Sequence, residues 1–339
     1  MEHGGRLNQA AKRWGIPRRD WLDLSTGINP TPWPVPTVPA ECWQRLPEAD
    51  DALVPEARRW SGAPAAACCL PIAGSQAAIS ALPGLRKPCR VAVPHPGYAE
   101  HGACWQRAGH QLVPYAPEQL DEQLVASVDV LVCINPNNPT GHRFSRESLL
   151  SWHRLLAARG GWLLVDEAFI DGTGIPSLAP HTGPEGLLVL RSLGKFFGLA
   201  GARAGLLLGP NDLCQQVDDA LGPWALSGPG RFVMAAAMAD QHWQRQMVPR
   251  LQQQSEQLAA LLAERGLSCA GGSLLFQYCP HPEAVVIAHG LAAQGVLVRL
   301  FQDPPALRFG LPPSPGALSR LGDALTQANH GKGEPASID

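Results

Sequence analysis

Short apolar runs recur along the chain, each followed by loop-forming residues and mostly separated from the next by a stretch of helical character. They are Arg90–Val93, Val128–Ile134, Trp162–Val165, Leu187–Leu190 and Leu206–Leu208. Continuous apolar runs suit strands buried on both faces, and strands joined through helices lie parallel because only a crossover returns the chain to the same end. The expected fold class is α/β, with a mainly parallel central sheet flanked by helices. A chain of 339 residues exceeds one small core and suits two domains of about 100–200 residues each, one large and one small.

Boundaries follow from breakers. Ile28–Pro39 (INPTPWPVPTVP) is too proline-rich for a helix or central strand and reads as an extended connection, and Gly222–Gly230 (GPWALSGPG) reads as the return from the large domain. These place an N-terminal arm and part of a small domain at 1–45, a large domain at 46–230, a small C-terminal domain at 231–330 and a frayed tail at 331–339. Ser145–Arg159 carries helix start and stop signals, and Pro249–Arg265 puts Leu251, Leu258, Leu261 and Leu262 on one helical face.

A formal charge of -2 with 17% charged residues leaves no basic surface for nucleic acid, so a small-molecule partner is expected. No apolar stretch approaches the ~18–20 residues of a membrane span, and the N-terminus has no signal-peptide core, so a cytoplasmic protein is expected. Nine cysteines without metal-ligand spacing read as reduced core thiols, and no metal is expected.

Arg191–Gly205 (RSLGKFFGLAGARAG) follows an apolar strand and sets Lys195 among Gly, Phe, Leu and Ala. Desolvation lowers an amine's pKa and makes a better carbonyl nucleophile; a lysine whose stem lies along a loop is the alternative. Ser192 and Arg203 flank it and are natural ligands for a phosphate dianion. Val165–Phe169 (VDEAF) places acids at a strand's carboxyl end, where α/β sheets hold ligands, and a buried Asp166 needs a positive partner. Asn135–Gly141 (NPNNPTG) is a stiff loop able to aim an Asn amide, or simply a turn. Gly74, Ser75 and Gln76 open a helix and expose backbone N–H groups to an anion, while Tyr98 in PHPGYAEH offers a ring to stack or to pack.

Taken in this order, NPNNPTG, VDEAF and SLGKFFGLAGARAG resemble fold-type I pyridoxal-phosphate enzymes, the class I and II aminotransferase group, over nearly the whole chain. The resemblance implies the aspartate-aminotransferase-like fold and pyridoxal 5'-phosphate as cofactor. It makes Lys195 the Schiff-base lysine, Asp166 the partner of the ring nitrogen with His101 behind it, and Asn138 the donor to the ring hydroxyl. It also makes Tyr98 the stacking ring and Gly74, Ser75, Gln76, Ser192 and Arg203 the phosphate site. Arg308, in ALRFGL, falls where the family grips the substrate carboxylate, and a homodimer is implied.

The N-terminal HGG, LDLSTGINP and RLPEAD segments, with PWALSG, are similar to the threonine-phosphate decarboxylases of cobalamin biosynthesis, which implies a phosphorylated amino acid substrate. His3, Asn29 and Arg299 are then expected at its phosphate. Phe169 stands where aminotransferases usually carry a tyrosine, which fits a decarboxylase better than a transaminase. Leu46 stands where many relatives have a tyrosine reaching the partner subunit's phosphate. The bond held perpendicular to the cofactor ring is the one that breaks, so the pose at Arg308 separates decarboxylation from transamination. Two other readings are a histidinol-phosphate-type aminotransferase and a non-catalytic pyridoxal-phosphate-binding regulator. The joint presence of Lys195, Asp166, Asn138 and Arg203 speaks against the regulator.

Overall fold

In a computed structural model, which describes residues 4–330, the chain divides into two compact units. A central unit takes Pro32–Met247, and a terminal unit is built from both ends of the chain, Met1–Thr31 and Val248–Asp339. Breakers point to edges near 45 and 230, whereas compactness divides the chain at 31/32 and 247/248. The expected tail, 331–339, and the candidate His3 lie outside the described residues.

Strand β1 (Leu22–Leu24) belongs to the terminal unit. The central sheet holds β2 (Cys68–Ile72), β3 (Arg90–Pro94), β4 (Gln111–Tyr115), β5 (Val130–Ile134), β6 (Trp162–Asp166), β7 (Leu187–Ser192) and β8 (Gly205–Gly209), in the order β2-β8-β7-β6-β5-β3-β4. Pairings among β3 to β7 are parallel, and helices such as Ala99–Arg107 and Arg146–Ala157 carry the crossovers. Only β8 runs against its neighbours, because residues 193–204 between it and β7 hold just a 3₁₀ turn, Ala200–Ala202, and no crossover helix.

The sequence runs did not reveal β2 and β4, each of which contains a proline (Pro71, Pro114). Both are edge strands, where a missing N–H breaks no interior ladder. Between them Val130, Val132, Leu164, Leu188, Leu190 and Leu207 pack on Ile79, Leu213 and Val217 from the covering helices. Full burial of each such side chain contributes about 1.5–3 kcal/mol.

The terminal unit has a second sheet of β1, β9 (Gly271–Ser273), β10 (Phe276–Pro280), β11 (Val296–Gln302) and β12 (Pro305–Gly310), ordered β1-β11-β12-β10-β9. Here β1 and β11 pair in parallel and the other pairs are antiparallel. The helix expected from Pro249 begins earlier, at Gln241, and runs to Glu264 with Pro249 inside it. The missed start signal is Asp240, whose carboxylate accepts from the Trp243 amide at 3.0 Å as an N-cap does. The Trp243 amide, and then the Trp33 indole, hold its pKa below the usual carboxylate range.

Among the described residues no helix is long and apolar enough to cross a membrane, and no group of three or more His, Cys, Asp or Glu could hold a metal. All nine cysteines are free thiols.

Candidate active site

One cleft of the central unit gathers side chains from the ends of β2, β5, β6 and β7. Asp166 is the last residue of β6 and only 4% exposed, which an unpaired carboxylate would not tolerate. His101, from the helix Ala99–Arg107, meets it with Nε2 2.9 Å from Oδ2, and the Ala168 amide donates to Oδ1 at 3.0 Å. The His101 ring is itself buried, so it holds in place the Asp166 carboxyl group that lines the cleft. Phe169 is buried beside it, and its ring centre lies 5.3 Å from the Lys195 Nζ, which places the amine over an aromatic face.

At the other end, Gly74 precedes the helix Ser75–Ala81 with φ 73° and ψ 160°, a region essentially restricted to glycine. A second constraint applies there, because a Cβ on Gly74 would stand 2.8 Å from an Arg203 guanidinium nitrogen. Arg203 itself adopts a left-handed backbone (φ 50°), which directs its side chain to the mouth of that helix. Ser75 and Ser192 line the same end, and the Gly194 amide donates to Ser192 Oγ at 3.2 Å. The Tyr98 hydroxyl donates to Gln76 Oε1 at 3.1 Å, and burial pushes its pKa up to about 12, so the ring presents a neutral face.

Asn138 reaches the cleft from the loop after β5. Asn137 holds that loop, its amide donating to Pro96 O at 3.0 Å and Thr140 Oγ1 at 2.8 Å. Every cofactor candidate from the sequence thus lines one cleft except His101, which stands behind Asp166. Ile79, Ile134 and Ala168 line it too and were not anticipated, since small and aliphatic residues in those positions read only as core.

The substrate candidates Asn29, Arg299 and Arg308 belong to the terminal unit. Asn29 is buried and accepts from the Thr31 amide at 2.8 Å. Arg299 and Arg308 face each other across β11 and β12, and Arg308 donates to Ser25 O at 2.9 Å. Burial, and then the like charge of Arg299, push Arg308 down to about 9, so it remains cationic at neutral pH. Like charges at directly opposed positions repel.

Residues 62–316 match the family model for aminotransferases of class I and II. The threonine-phosphate decarboxylase of Pseudomonas aeruginosa is 50% identical over 96% of this chain and 97% of that protein. A second threonine-phosphate decarboxylase, from a Sinorhizobium species, is 38% identical over 96% of this chain and 97% of its own length. Among solved structures, the histidinol-phosphate aminotransferase of Sinorhizobium meliloti in complex with pyridoxal-5'-phosphate superposes with TM-score 0.82 at 19% identity, covering 97% of this chain and 98% of that one.

Proposed function

The chain belongs to the class I and II aminotransferase family, and on that footing we propose that it is a pyridoxal-phosphate enzyme decarboxylating L-threonine O-3-phosphate to (R)-1-amino-2-propanol O-phosphate in cobalamin biosynthesis. The observation that carries this reading is the convergence of Lys195, the Asp166–His101 pair and the Ser75, Ser192 and Arg203 group on one cleft, in a chain half identical to a threonine-phosphate decarboxylase along almost its full length.

The cleft fits the cofactor by its chemistry. Arg203, the two serines and the first amides of the helix Ser75–Ala81 suit a dianionic phosphate, and the Asp166 carboxylate suits a protonated ring nitrogen. Pyridoxal phosphate, when bound, supplies an aldehyde for an amine and a ring that draws in the electron pair of a broken Cα bond.

The chain's own residues do the rest. Lys195 Nζ would be the amine that holds the aldehyde and the group placed to return a proton to Cα. Asp166, which His101 meets from behind, would hold the charge on the ring nitrogen, and Asn138 would donate to the ring hydroxyl. Tyr98 and Phe169 wall the cleft with apolar surface, and Phe169 has no hydroxyl to give the ring oxygen. We assign Arg308 to the substrate carboxylate, and Arg299, Asn29 and His3 to its phosphate. The opposed arginines on β11 and β12 support this assignment.

The reading carries a cytoplasmic homodimer with it. Supporting the dimer, Trp43, Leu46 and Trp224 of the central unit are 69%, 63% and 57% exposed, each an apolar side chain that a second copy could cover. The same fold and cleft would also serve a histidinol-phosphate aminotransferase. Purified enzyme given L-threonine phosphate decides between them. Carbon dioxide and aminopropanol phosphate without any keto acid support the proposal, whereas keto acid formed from histidinol phosphate, with no carbon dioxide from threonine phosphate, overturns it.

A further inference from the structure

Asp166 and Ser192 stand at the ends of neighbouring strands, and each has a charged residue beside it in sequence, Glu167 and Arg191. Successive side chains of an extended strand leave on opposite faces, so Glu167 and Arg191 turn away from the cleft together. There they meet, with Arg191 Nη1 3.9 Å from Glu167 Oε2 and 3.4 Å from Ser177 Oγ, while Nη2 bonds the Asp171 carboxylate. The Arg191 guanidinium also lies 4.1 Å from the Trp60 ring centre. Glu167 is fully buried and accepts from the Leu178 amide at 2.7 Å and the Ser177 hydroxyl at 2.5 Å. On the backbone, the Glu167 amide donates to Leu190 O at 2.9 Å and couples the two strand ends directly.

Apolar side chains of equal volume would brace this layer without burying a guanidinium and two carboxyl groups. What a polar set adds is direction, because a planar guanidinium shared between two carboxyl groups and laid on an indole has one geometry. We propose that Glu167, Asp171 and Arg191 form a positioning network that holds Asp166 and Ser192 at a set separation, so that one rigid cofactor meets its ring-nitrogen partner and its phosphate partner together. This rests on the pyridoxal-phosphate reading of the cleft.

Two variants test it without touching a cleft residue. Arg191→Lys keeps the charge and loses the fork, and Glu167→Gln keeps the shape and exchanges the carboxyl facing Arg191 for an amide. Each is compared with wild type for the dissociation constant of pyridoxal phosphate, the pH profile of the bound cofactor's visible absorbance, and the unfolding midpoint of the cofactor-free protein. For Arg191→Lys the expected result is binding weakened about tenfold or more with a displaced absorbance midpoint, because small misplacements at a preorganised site are costly. Glu167→Gln should move both readouts in the same direction by less. Folded variants that bind within about twofold of wild type with an unaltered profile, even at a lowered unfolding midpoint, would reduce the network to a structural brace and overturn the proposal. If Arg191→Lys does not fold, Glu167→Gln decides on the same readouts. Wild-type protein that takes up no pyridoxal phosphate overturns the functional reading itself, whereas tight wild-type binding with unmoved variants overturns this inference alone.

Discussion

Asp166 carries the heaviest demand at the scale of single residues, because a carboxyl group 4% exposed is costly to bury without polar partners. Asp166→Asn should still take up cofactor but lose roughly 10²-fold or more in turnover, since a neutral amide does not hold the ring nitrogen protonated. Steady-state decarboxylation rates check this, and near-normal turnover would move the role to another group. Borohydride reduction of cofactor-loaded protein followed by peptide mapping should place the adduct on Lys195, and an adduct elsewhere would remove the central assignment. Glu167 offers a prediction with a definite sign. Burial raises its pKa from 4.5 to about 7 against the opposing pull of Arg191, so the fold favours its neutral form. That contribution to stability is fully present below the unfolded value and is lost as pH rises through about 7. The unfolding midpoint of Glu167→Gln should therefore gain on wild type between about pH 5 and pH 8, and a constant gap would show that Glu167 titrates normally. The local pattern of VDEAF displayed two acids, and the family resemblance named Asp166 as the one at the cleft. That choice follows from where β6 ends and what packs on each face.

Helix and strand ends place these residues. Ser145 caps Arg146–Ala157 by accepting from the Ser148 amide at 3.0 Å, so Ser145→Ala should cost about 1 kcal/mol, readable as a shift in denaturant midpoint at constant slope. Gly74→Ala attacks the other end of the site. The backbone there costs a non-glycine residue about 1–3 kcal/mol, and the new methyl crowds Arg203, so stability and cofactor affinity should fall together. A loss of stability with unchanged affinity would mean that Arg203 does not hold the phosphate. Elements with one strong local signal were legible in advance, as with the Ser145 cap and the apolar runs of β5, β6 and β7. Elements tolerated only by position were not. The prolines of β2 and β4 read as breakers until the sheet order makes both strands edges, and Pro249 reads as a helix start until Asp240 is seen to cap the helix further upstream.

For the whole molecule the choice of reaction is the test. Carbon dioxide release from L-threonine phosphate should proceed without a keto-acid acceptor, whereas an aminotransferase stalls once its cofactor is in the amine form. His3→Ala should lower kcat/KM for that substrate by about tenfold to a hundredfold, the worth of a charge-assisted hydrogen bond, and leave cofactor binding intact. Unchanged kinetics would remove His3 from the phosphate site. Light scattering at working concentration should return twice the 36.2 kDa of one chain, and a monomer would leave the exposed Trp43, Leu46 and Trp224 without the cover proposed for them. The sequence by itself determined the α/β alternation, the order of the three motif segments and the chemical types placed in them, because these depend on local pattern and on residue chemistry. Only the tertiary structure decided that β8 runs against its neighbours and that Arg191 leaves the phosphate end to join Glu167 and Asp171. Those outcomes depend on strand order and on the face each side chain takes, which are set when distant segments pair and which no run of neighbouring residues encodes.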